Sequence, residues 1–88
     1  MSETSHQPDQ KQEEFLQALK EIEKKVFENR SKHDDTEKTI KDFRRIFDQD
    51  SSRMNQAIFN DAASEEIYKE TLRTVAVLIE ILLRTKKG

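Results

Sequence analysis

Between Val75 and Leu83 a single charge, Glu80, interrupts an otherwise apolar segment, and this run constrains the fold more than any other part of the chain. Tyr68, Leu72, Val75, Ile79 and Leu82 advance by +4, +3, +4 and +3, the spacing of one helical stripe. An ordinary bundle helix needs one such stripe and keeps its far side polar. Here Val77 and Ile81 lie opposite Val75, Ile79 and Leu82, so this half of the helix is apolar nearly all round. Such a helix must be covered on more than one side. Two short partners from the same chain are expected to leave part of it open.

The rest of the sequence supplies helices and little else. One Gly and one Pro in 88 residues leave almost nothing for hairpin turns or a phosphate-cradling loop. The absence of Cys excludes a disulfide scaffold, thiolate metal sites and a nucleophilic cysteine. Sixteen Lys/Arg stand against eighteen Asp/Glu, a net charge of −2 that is too balanced to steer a charged ligand from a distance. Many of these charges form opposite pairs at helical spacing: Glu21–Lys25, Glu28–Lys32, Glu37–Lys41, Lys38–Asp42, Arg44–Asp48 and Glu80–Arg84. They describe solvated helix faces. The apolar run is too short to span a bilayer and no signal peptide is read, so a cytoplasmic protein without a membrane partner is expected.

Three helices are predicted, at about 10–31, 35–59 and 64–86, in a single domain spanning 10–88 behind an N-terminal tail at 1–9. The first carries Phe15, Leu19, Ile22 and Val26 on one stripe, with Asp9 and Gln12 as a capping pair. For the second, Asp34 with Glu37 is the candidate capping box, and Asp35 and Thr36 are alternative caps. Its stripe of Ile40, Phe43 and Phe47 resumes in phase at Met54 and Ile58, across the polar stretch from Asp48 to Ser52. Continuity through that stretch is favoured over a break near Asp50. Ser64 is the expected cap of the third helix, with Glu65 and Glu66 at its positive pole and Arg84, Lys86 and Lys87 at the other.

The fold class is therefore all-α, a small helical bundle of three main helices per chain, completed by oligomerisation. The simplest arrangement is a two-fold homodimer sharing the last helix, with Val75, Val77, Leu78, Ile81, Leu82 and Leu83 at the interface. A different protein filling the same surface would leave the same pattern. The expected function is protein–protein interaction as a small adaptor, co-chaperone or regulatory subunit.

Catalysis, cofactors and metals are not expected. No serine sits in a G-x-S-x-G elbow, and His6 and His33 lack a ligand set at a metal-binding spacing. Glu66 and Glu70 lie one turn apart without a facing acidic pair. Glu80 is expected to pair with Arg84, one turn on, or Arg73, two turns back. Asp50 and Asp61 fall where aliphatic residues would continue the second stripe, so each must find a partner, reach water or mark a helix end. The alternative reading is a dimeric nucleic-acid-binding regulator using Lys38, Lys41, Arg44 and Arg45, a basic cluster on the second helix that Glu37, Asp42 and Asp48 interrupt.

Overall fold

A computed structural model describes residues 10–33 and 37–87, and its regular elements are three helices: α1 (Gln10–Lys32), α2 (Ile40–Phe59) and α3 (Ser64–Lys87). The all-α class and the three helices agree with the sequence reading, and α2 runs without a break through Asp50. The proposed caps at Asp9, Asp34, Asp35 and Thr36 lie outside the described residues. The start of α2 differs from expectation by about one turn. Thr39 caps it, its hydroxyl accepting the Asp42 N–H at 3.2 Å while the Asp42 carboxylate accepts the Thr39 N–H at 2.9 Å. This is a reciprocal capping box with Asp in place of the usual Glu. The Thr39 backbone N–H holds the Asp42 carboxyl below the ordinary carboxylate range.

The α2–α3 turn is closed by its own backbone. Asp61 N–H donates to the Ile58 carbonyl and Ala62 N–H to the Ala57 carbonyl. Asp61 itself has φ 53°, a left-handed conformation that a short polar side chain tolerates. This residue therefore marks a helix end, one of the three outcomes its position required. Ser64 is the first helical residue instead of a cap flanking it.

α3 is the central helix. It packs along most of its length on α2 and over a shorter stretch on α1, while α1 and α2 do not pack on each other. Phe43 near the start of α2 meets Arg84 near the end of α3, and Asp50 lies level with Arg73, so these two helices are antiparallel. Along α1, Lys25 lies near Asp50 and Arg73, whereas Arg30 reaches Glu80, so α1 runs parallel to α3. The order is up–down–up.

Among the described residues the buried apolar set is small: Val26, Phe43, Ala57, Ala76 and Val77. Ala57, Ala76 and Thr74 let the backbones approach closely, but they bury little surface. The N-terminal half of α1 leaves the bundle, with Phe15 and Leu19 exposed although they continue the stripe of Val26, and Leu16 exposed beside them.

Candidate protein interaction surface

The inner face of α3, between α1 and α2, is largely polar. Glu80 is only 4% exposed and carries two guanidinium groups. Arg30 Nε donates to its Oε2 and Arg30 Nη2 to its Oε1, both at 2.9 Å, while Arg84 Nη1 donates to Oε1 at 2.8 Å. The hydrogen bonds from Arg30 outweigh burial and hold the Glu80 carboxyl below its ordinary range. Arg84 is fixed further by donating to the Lys38 carbonyl at 3.2 Å and by lying over the Phe43 ring, 4.4 Å from its centre. Of the two partners expected for Glu80, Arg84 is one. Arg73 is not; it sits 3.7 Å from Glu70. Arg30 has no signal in the sequence, because it comes from another helix fifty residues away.

Below this triad a groove of about 480 Å³ opens between α1 and α2, with Val26, Phe43, Ala76 and Val77 on its floor and Lys25, Asp50, Arg53 and Arg73 around them. Asp50 is half-buried, and that burial pushes its carboxyl above the ordinary range despite Arg53, Arg73 and Lys25 nearby. Glu70 is buried, and its Oε1 makes no hydrogen bond among the described residues. Those residues contain no cluster of three or more His, Cys, Asp or Glu arranged to hold a metal ion. Nor does any helix among them have the length and apolarity to cross a membrane.

The outer face of α3 is the opposite of the inner one. Tyr68 is 50% exposed and Leu82 62%, with Leu72, Val75 and Ile79 half-covered between them and Leu78 and Leu83 exposed on the flanks. Six residues were expected at an interface. Five of them, Val75, Leu78, Ile81, Leu82 and Leu83, retain exposed or partly exposed surface.

Val77 does not belong there, which is a correction. It is 6% exposed, a core residue on the groove floor. Val77 is turned inward against the sequence reading, whereas the stripe from Tyr68 to Leu82 is exposed at both ends and partly covered at Leu72, Val75 and Ile79. The physical reason lies in Glu80. A carboxylate that collects Arg30 from α1 and Arg84 from its own helix turns its side of α3 inward, and Ala76 gives α1 room to approach. The expectation that Val77 lies on an uncovered side fails, while Ile81 keeps partly exposed surface as Val75 and Ile79 do; the most exposed apolar residues of α3 are Tyr68, Leu78, Leu82 and Leu83.

Two members of the basic cluster have local partners. Lys38 lies over the Phe43 ring at 5.9 Å, and Arg44 is 4.0 Å from Asp48, while Lys41 and Arg45 are exposed on the outer side of α2. No protein-family model matches the chain, and searches of curated proteins and of solved structures returned no match.

Proposed function

We propose that this chain is a non-enzymatic, cytoplasmic protein–protein interaction module, an adaptor, co-chaperone or regulatory subunit, that docks a helix on the outer face of α3. One observation carries the reading: Tyr68, Leu72, Val75, Ile79 and Leu82 form a continuous apolar stripe at helical spacing, and the chain's own helices leave its ends, Tyr68 and Leu82, exposed and its middle only partly covered. Single exposed aliphatic residues are ordinary on a protein surface, whereas a contiguous apolar strip rimmed by polar groups marks a docking site. The mechanism is the seating of side-chain anchors one helical turn apart, with rim charges setting orientation.

The basic side of α2 gives less support to nucleic-acid binding. Arg44 shares its charge with Asp48, and Lys38 is turned over Phe43, so the cations form no continuous stripe. Immobilised wild type and a Leu78→Glu/Leu82→Glu double variant, each exposed to host extract, test the proposal. Proteins retained by the wild type alone are then purified and titrated against both forms, with emission from Tyr68, the sole tyrosine of a chain without Trp, as reporter. Retention of the same proteins by both forms would overturn it.

A further inference from the structure

We infer that the occupant of the outer face of α3 is a second copy of this chain, its α3 packed antiparallel about a two-fold axis near the level of residue 77. The inference rests on the reading of that face as a docking surface and adds the identity, direction and register of what docks.

The stripe does not end at Leu82. Tyr68, Leu72, Val75, Ile79, Leu82 and Lys86 continue the alternation of +4 and +3 over nineteen residues, about 28 Å of helix at 1.5 Å per residue. That alternation is a period of 3.5, which keeps a seam facing one partner helix along its whole length. From Tyr68 to Leu82 the seam positions hold no charge. A helix laid on it therefore buries no unpaired ion there.

The seam is complementary to itself in one direction. In the antiparallel register, Leu72 meets the partner's Leu82, and Val75 meets the partner's Ile79. At each end, Tyr68 meets the partner's Lys86, whose aliphatic stem covers the ring while its ammonium reaches water. Every layer is then apolar or aromatic against an aliphatic chain, and the two-fold axis repeats each one. The exposed Leu78 and Leu83 flank the same seam and extend the contact.

Charge selects the direction. The first turn of α3 carries Glu65 and Glu66, and its last turn carries the exposed Lys86. Antiparallel packing sets the acidic, positive-dipole end of one helix beside the basic, negative-dipole end of the other. Parallel packing would set Glu65 and Glu66 against their own copies. The backbone of α3 is already held by α1 and α2, so association costs less ordering than pairing two free helices would.

The 88-residue chain, which has no cysteine, allows a clean test. Leu72→Cys and Leu82→Cys are prepared as separate proteins, mixed, and oxidised mildly. In the antiparallel register residue 72 faces the partner's residue 82, and a disulfide-linked heterodimer is expected. Each protein alone should stay uncrosslinked, because like positions are then offset by about 15 Å, well beyond disulfide reach.

Sedimentation velocity of the wild type beside Leu82→Glu accompanies it. The wild type should sediment as a dimer, and the variant should keep its helical circular dichroism while its dissociation constant rises more than about tenfold. Crosslinking of each protein with itself would mean a parallel pair and overturn the register. A wild-type dimer that Leu82→Glu leaves intact would place the contact elsewhere and overturn the surface. A wild-type monomer whose Tyr68 is shielded only by a protein purified from host extract would overturn self-pairing while upholding the docking face. A monomer that discriminates no partner from Leu78→Glu/Leu82→Glu would overturn both.

Discussion

Replacing Glu80 with Gln removes the charge at the centre of the only long-range ion-pair network seen among the described residues, and its cost can be worked from the geometry. Three charge-assisted hydrogen bonds converge on this carboxylate, whose side chain is 5% exposed. Gln keeps the shape and one acceptor oxygen, but it turns an N–H₂ group toward a guanidinium. Removing one partner of a fully buried ion pair costs about 3–5 kcal/mol, since the remaining charge stays dry. Here the loss is smaller. The Arg30 side chain is 40% exposed and can swing into water, and Arg84 keeps the Lys38 carbonyl and the Phe43 ring.

About 2 kcal/mol is the expected loss at neutral pH, or roughly 8–16 °C in Tm for a domain of this size. Thermal melts by circular dichroism at equal protein concentration measure it. The pH dependence supplies an internal control. Because the folded-state carboxyl is held below its ordinary range, its stabilisation is fully present above the unfolded pKa and is lost as pH falls through the folded one. The gap between wild type and Glu80→Gln should therefore close in acid. A variant within about 0.5 kcal/mol of wild type at pH 7, or a gap that persists at acid pH, would refute the assignment of Glu80 as the organiser of the inner face.

Asp50 makes the opposite prediction. Burial raises its carboxyl above the ordinary range, so folding loses stability as pH rises from the unfolded pKa to the folded one. Asp50→Asn should raise Tm at neutral pH by a few degrees and leave it nearly unchanged in acid, and a fall in Tm at neutral pH would show that Arg53, Arg73 and Lys25 outweigh desolvation. Thr39→Ala removes the hydroxyl that caps α2 and should cost about 1 kcal/mol in urea unfolding with an unchanged m-value. A cost near zero would place the effective start of α2 elsewhere.

Helix number, helix positions and the continuity of α2 were legible because each rests on local pattern. Ile40, Phe43 and Phe47 share a helical phase with Met54 and Ile58, and Asp48 to Ser52 are too few to break it. The start of α2 was less so, since Asp34 with Glu37 and Thr39 with Asp42 are both plausible capping pairs five residues apart. What periodicity could not give is the side of α3 that faces its neighbours. A stripe rule turns the largest aliphatic residues inward, and here Leu78, Leu82 and Leu83 stay exposed while Val77 is buried. The deciding contact is Arg30 with Glu80, between helices that have no fixed spacing in sequence. Arg84 was visible as a partner only because it lies one turn away on the same helix. The groove-lining carboxylates show the same limit: Asp50 reads from the sequence as a misfit, and only the fold shows three cations around it.

The most direct check of the central claim uses Tyr68, the sole tyrosine in a chain without tryptophan, at the end of the outer seam. Acrylamide quenching of its emission, followed from nanomolar to high micromolar protein, reads the covering of that face and nothing else. Self-pairing through α3 requires the quenching constant to fall as concentration rises and to remain high throughout in Leu82→Glu. A constant equally high at every concentration in the wild type would contradict it.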